Sequence, residues 1–267
     1  MKAKELLDAG QLASAIDQLN QDVRSHPTDS RLRTFLFELL CFAGDYQRAT
    51  RQLDVLGQQH TAAEVGVQVY RNILAAEQSR RRLFSEGLRP NFLPDPPRYV
   101  QLHLEAVNRL RENRSAEAMA LLEESESSRP RLRGRLDGQA FQDFRDSDAR
   151  LDPFLEVFFH SNYLWLPFEQ ISHLTISAPT RLRDLLWIPA RFESHSGLAG
   201  EVFLPVLYPG SSEHPNDMVR LGRMTDWKAV GEGLALGIGQ RLFLVDDEER
   251  AMLEVREVAF EAQASAG

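Results

Sequence analysis

Leu6–Leu19, LLDAGQLASAIDQL, lies over Leu39–Leu53, LLCFAGDYQRATRQL, when Gly10 is set on Gly44, an offset of 34 residues. Leu6 then matches Leu40, Leu12 matches Tyr46, Ala15 matches Ala49 and Leu19 matches Leu53. Each unit reads as helix, tight turn, helix. A glycine takes the left-handed turn without a side-chain clash, a small alanine lets two helices approach, and the leucines line one face. A third copy runs through LRENRSAEAMALLEESESSRP, with Asn113 at the glycine position, Ala118 on Ala49 and Leu122 on Leu53. Its offset of 69 residues from the second copy is close to two periods. Helical hairpins at this period have the tetratricopeptide length. The array expected is tetratricopeptide-like, because the first copy lacks a counterpart of Tyr46 and residues 80–98 interrupt the series.

Outward from the repeat, Leu12, Ile16, Leu19 and Val23 fall at helical spacing, Pro27 ends that helix, and Asp29 is placed to cap the next. Leu32, Phe35, Leu36 and Leu39 continue the apolar stripe, and Cys41 in FLFELLCF is expected to be a buried thiol acting as a small hydrophobe. RPNFLPDPP, residues 89–97, has four prolines in nine positions and predicts an extended connector. Helical periodicity resumes at Tyr99, Leu102, Ala106 and Leu110. Stacked hairpins bury one another's apolar faces, so one compact helical domain is expected over 1–132.

Beyond a charged linker expected over 133–149, the texture changes over 150–267 to short apolar runs broken by proline and glycine: YLWLP, HLTIS, DLLWIPARFE, EVFLPVLYPG, QRLFLV. These read as strands. RFESHSGLAGEVFLP predicts two strands about a glycine turn, and QRLFLVDDEERAMLEVREV a hairpin with its acidic tip at Asp246 to Glu249. PFLEVFFH predicts a helix starting at Pro153 with Asp152 as its cap, and Thr180 is placed to cap a turn into LRDLL. The expected fold class is α+β: a tetratricopeptide-like helical-hairpin domain followed by a mostly antiparallel sheet domain with a few helices.

A chain of 267 residues with 43% hydrophobic and 26% charged content belongs to the globular class. Its net charge of −8 argues against general nucleic-acid binding. Lys2, Lys4 and Lys228 are the only lysines, so the positive charge is nearly all guanidinium. This reads either as capacity for bidentate pairing with carboxylates or as compositional bias. The single cysteine allows no intrachain disulfide, and neither a secretory leader nor an apolar span of membrane length is apparent. A reducing, cytoplasmic setting is expected.

The ordered series LRTFLFELLCFAGDYQRA, DSDARLDPFLEVFF, YLWLPFEQI, APTRLRDLLWIPAR, GEVFLPVLYPGS and RLGRMTDW resembles the ImpE/TagJ family of bacterial type VI secretion accessory proteins over nearly the whole chain. The resemblance implies a cytoplasmic, non-enzymatic adaptor whose partner is the small subunit of the contractile sheath, engaged through that subunit's N-terminal helix. The repeat half separately suggests a protein-binding scaffold. In such docking, Leu155, Phe158 and Phe159 would form one helical wall of a groove with Trp165 and Trp187 at its floor. The rival groove is the concave face of the repeats, with Phe35, Leu39 and Tyr46. Arg223 and Asp226 in RLGRMTDW read either as a recognition patch or as an internal ion pair. The aromatic cluster from Phe154 to Phe168 reads by default as core.

No cofactor or metal is expected. The seven histidines, His60 among them, lack ligand spacing. Asp143, Asp146, Asp148 and Asp152 lack the central glycine and closing glutamate of a calcium loop. GEGLALGIG, residues 231–239, lacks dinucleotide-binding spacing and is expected to bend a sheet. Two other classes remain open: a hydrolase using the carboxylates near Asp143 to Asp152 with His160, and a structural dimerisation module. Oligomeric state is not fixed by the sequence.

Overall fold

The computed structural model describes residues 2–59, 64–93, 96–231 and 233–262. The helical half begins with α1 (Lys2–Asp8) and α2 (Leu12–Ser25), continues with α3 (Ser30–Phe42) and α4 (Tyr46–Gln59), and after the long α5 (Glu64–Glu86) ends with α6 (Val100–Arg111) and α7 (Ser115–Ser128). The three repeat copies are the hairpins α1/α2, α3/α4 and α6/α7. Gly10, Gly44 and Asn113 sit in their turns at φ of 73°, 72° and 60°, the left-handed conformation that the repeat alignment called for. Ala15, Ala49 and Ala118 are completely buried at the helix contacts. Asp29 caps α3, its carboxylate accepting from Arg31 N at 2.8 Å and Leu32 N at 3.3 Å.

The connector predicted around residues 89–97 has a structural task where it is described; Pro94 and Asp95 lie outside the described residues. Asn91 bridges the strand Asn162–Pro167, donating from its backbone N to Tyr163 O at 3.1 Å and accepting from Trp165 N at 3.0 Å. It covers an edge that would otherwise present unpaired backbone groups.

The second half is built on an antiparallel sheet of eight strands in the order β2-β1-β13-β6-β7-β8-β4-β5. These strands are β1 (Gly134–Leu136), β2 (Gln139–Phe141), β4 (Phe154–Phe159), β5 (Asn162–Pro167), β6 (Ile171–Ile176), β7 (Trp187–Ser194), β8 (Ala199–Pro205) and β13 (Glu257–Phe260). A second sheet joins β3 (Phe144–Asp146), β11 (Leu242–Val245) and β12 (Glu248–Ala251), and a two-stranded ribbon joins β9 (Thr225–Gly231) to β10 (Leu234–Gly239). A four-residue α8 (Asp217–Arg220) precedes β9. The hairpins expected from RFESHSGLAGEVFLP and QRLFLVDDEERAMLEVREV are β7/β8 and β11/β12. Of the GEGLALGIG run, Gly231 ends β9 and Leu234–Gly239 form β10, with Glu232 outside the described residues.

Two expectations are corrected. PFLEVFFH is not a helix but strand β4, paired with β5 on one side and β8 on the other; residues of both its faces are buried, which is why its apolar run does not alternate and is broken by Glu156 alone. Residues 133–149 are not a linker. They carry β1, β2 and β3, with Asp137 and Gly138 turning β1 into β2 at φ of 48° and 84°. Their charged side chains reach outward or pair within the fold, which gave the segment its linker-like composition. Near Thr180 a 3₁₀ turn does form over Leu182–Leu185, but its closure comes from Asp184, whose carboxylate accepts from Thr180 N and Arg181 N, each at 2.8 Å.

Helices and sheet share one hydrophobic cluster running from Ala3 to Phe260, with α5 as its spine. A smaller cluster of Ala106, Ala118, Leu122 and Leu234 fixes the β9/β10 ribbon on the α6/α7 hairpin.

Candidate functional site

The seam between helices and sheet runs along α5, and it is charged at its centre. Arg80 of α5 donates from Nε and Nη2 to the two carboxylate oxygens of Glu156 on β4, each at 2.8 Å, and from Nη2 to Leu207 O at 2.8 Å. Glu156 also accepts from Tyr163 OH and from Arg241 Nη2. Arg241 Nε stands 3.3 Å from Asp146 Oδ2, and Tyr208 OH donates to Asp146 Oδ1 at 2.9 Å. One turn before Arg80, Glu77 receives Trp187 Nε1 at 3.2 Å. Every one of these ionic side chains is buried.

Such a cluster is stable only because its charges neutralise one another in a low-dielectric setting. Burial works to raise Glu156, but the guanidiniums of Arg80 and Arg241 outweigh it and hold the carboxyl at about 2. Asp146 answers mainly to burial and is pushed up to about 7 in spite of Arg241. The arrangement ties α5 to β4 and to the residue ahead of β11, and its chemistry is that of a strut.

Two concavities flank α5. On one side a polar cavity of about 320 Å³ is walled by Cys41, Tyr46, Glu77, Arg80, Trp187 and Tyr208. On the other a more apolar groove of about 470 Å³ runs between Val69, Asn72 and Ile73 of α5 and Phe158, Ala190 and Phe203 of the sheet. Val65, Val69 and Ile73 follow one another at a spacing of four along α5, and Val65 is 79% exposed. An apolar stripe on α5 therefore leads from solvent into this groove. His160, Arg191 and Glu201 supply polar atoms among its lining.

The structure disperses the residues singled out from the sequence. Leu155, Phe158, Trp165 and Trp187 are buried in the sheet core, and Phe159 is half-buried. The helical wall imagined for Leu155, Phe158 and Phe159 is replaced by a strand, where successive residues point to opposite faces. Phe158 nonetheless contributes to the floor of the groove, while Tyr46 and Trp187 meet in the polar cavity. Leu39 is buried and Phe35 half-buried in the helical core. Arg223 and Asp226 are exposed and do not pair with each other: Arg223 Nη1 donates to Asp8 O at 3.0 Å, and Asp226 stands 3.2 Å from His214.

The carboxylates of the hydrolase alternative are engaged by arginine. Arg129 meets Asp143 at 2.8 Å and Asp152 at 3.2 Å, and Arg150 meets Asp148 at 2.5 Å. His160 stands at the far end of β4, roughly 20 Å along the strand from Asp152. Among the described residues no group of three His, Cys, Asp or Glu side chains is placed to hold a metal, and His60 lies outside them. The sequence reading overlooked Arg80, Glu156 and Arg241. A signal for one was present, since Glu156 interrupts the apolar run FLEVFF, and a carboxylate on a doubly covered strand needs a buried cation.

Comparison with known proteins finds similarity in both sequence and structure. The family model described as ImpE protein matches residues 138–259. The type VI secretion system accessory component TagJ of Pseudomonas aeruginosa is 39% identical over 261 residues, which cover 98% of this chain and 92% of that protein. A crystal structure of a Vibrio parahaemolyticus protein superposes over the whole of both chains with a TM-score of 0.91 at 25% identity.

Proposed function

The chain belongs to the ImpE/TagJ family, and on that premise we propose that it is a non-enzymatic, cytoplasmic accessory of a type VI secretion system that receives the N-terminal helix of the small sheath subunit in the groove beside α5. The observation that carries the reading is the apolar stripe Val65, Val69, Ile73, which enters a groove floored by Phe158 and Phe203. A helix with apolar residues at i, i+3 or i+4, and i+7 presents a matching ridge. Its anchors would fill the floor, and polar groups at Arg191 and Glu201 would set its register.

Isothermal titration with a peptide spanning that helix tests the proposal. Saturable binding to the unaltered chain is expected, weakened at least tenfold when Val65 and Val69 are both changed to glutamate. Both positions are exposed or half-buried, so the fold should tolerate the change. A peptide that gives no heat even at concentrations far above micromolar would sink the reading. Equal binding by the altered chain would move the partner away from α5.

A further inference from the structure

The β9/β10 ribbon leaves one strand edge open. Among the described residues β9 pairs with β10 alone, in a register that sets Asp226 opposite Ile238, Trp227 opposite Gly237 and Lys228 opposite Leu236. Gly237 N donates to Asp148 Oδ2 at 2.8 Å, and Gly239 O accepts from Tyr208 N at 2.9 Å, so these two glycines turn their backbone groups away from β9. Their partners, Trp227 and Thr225, must turn theirs away from β10, because backbone direction alternates along antiparallel strands. Trp227 N accordingly finds no strand and donates to the side chain of its neighbour, Asp226 Oδ1, at 2.8 Å. Asp226, Trp227, Lys228 and Ala229 are all exposed, as is Met224 just before the strand. The strand has seven residues and no proline, so it lacks two of the usual devices that blunt an edge.

We propose that this edge pairs with the same edge of a second copy of the chain, antiparallel, about a twofold axis at Trp227. The argument for self-pairing is charge. With the axis at Trp227, Asp226 of each copy stands opposite Lys228 of the other, and two opposite-charge pairs form at once. Moving the axis to Asp226 or Lys228 sets like charges against each other. The backbone agrees with the same axis: Trp227 faces outward, so the two Trp227 residues form the hydrogen-bonded pair. Asp226 and Lys228 then fall in the flanking non-hydrogen-bonded pairs, where side chains come closest. Asp226, whose carboxylate stands 3.2 Å from His214 in the single chain, exchanges that contact and its bond to Trp227 N for the partner's lysine, and Trp227 N passes to the partner's carbonyl. The two indoles, each 6.1 Å from its own Tyr208 ring, are brought together on the other face. An interface of one strand pair is small, so a concentration-dependent equilibrium follows rather than a permanent dimer.

Sedimentation velocity on the full chain across a concentration series up to the millimolar range tests this. The unaltered chain should pass from monomer to twice the monomer mass. Asp226→Lys and Lys228→Asp should each remain monomeric alone, with unchanged circular dichroism, because each sets like charges across the axis. Mixed in equal amounts, the two variants should associate, since every position then faces its opposite. A chain monomeric throughout, a dimer that survives both single changes, or a mixture that stays monomeric would each overturn the proposal.

Discussion

Glu156 is wholly buried and receives four donors from three residues, Arg80, Tyr163 and Arg241, contributed by a helix, a neighbouring strand and the residue ahead of β11. Removing one member strands the others, and an uncompensated buried charge costs roughly 3–5 kcal/mol. Arg80→Ala and Glu156→Gln should therefore each destabilise the fold by several kcal/mol in urea denaturation. Their combination should cost clearly less than the sum, because the second change removes a charge that the first left unpaired. Additive losses would show that the pair is not energetically coupled. Little of this was legible in the chain. Arg80 sits in RRRLF as one of three successive arginines, and spacing does not distinguish the buried one from Arg81, which bonds Gly44 O and Glu213 at the surface.

The helical hairpins were legible because glycine, alanine and leucine have separate duties at fixed positions, and the turns at Gly10, Gly44 and Asn113 carry the φ values that those residues tolerate. β7/β8 and β11/β12 were legible from alternation and turn residues. β4 was not, because a short apolar run reads as buried helix or buried strand alike. In 133–149 the dipeptide Asp137-Gly138 was itself a signal, since both residues turn at positive φ as two-residue hairpins require. Charge density on either side obscured it. The hairpin offers an element-scale test. A methyl at Gly138 meets open space, so Gly138→Ala should cost only its left-handed backbone, about 1–2 kcal/mol. A methyl at Gly134 would stand 2.1 Å from Ala259 O, so Gly134→Ala should cost more by forcing β1 away from β13. Chemical denaturation of the two variants should rank them in that order, and the reverse would mean that the β1/β13 pairing adapts.

Across the whole molecule, helices and sheet are joined by ionisable groups as well as by apolar contact. Glu38 on α3, beside Arg183, is pushed up by burial to about 7; Asp146 and Asp152, facing Arg241 and Arg129, are raised to about 7 in the same way. An unfolded carboxyl titrates near about 4, so these three groups take up protons on folding between about pH 4 and 7. Their contribution to stability is full below that window and is lost as pH rises through it. Groups acting in the opposite sense include His103, pushed down by burial to about 3, and Glu156, held at about 2. Both lose their contribution as the medium becomes more acid. The melting temperature should thus rise from about pH 8 to about pH 5 and fall again towards about pH 3, with a shallower rise in Glu38→Gln. Differential scanning calorimetry across that range reads the sign, and a rise towards alkaline pH would contradict it. The groove beside α5 was the least legible feature, because its two walls lie over 80 residues apart in sequence and meet only after folding. The strut at Glu156 has a further consequence for inheritance and for engineering. Residues 80, 156 and 241 come from distant parts of the chain, so a chimera joining the helices of one homologue to the sheet of another inherits a working set of charges only when both parents carry the same polarity at all three.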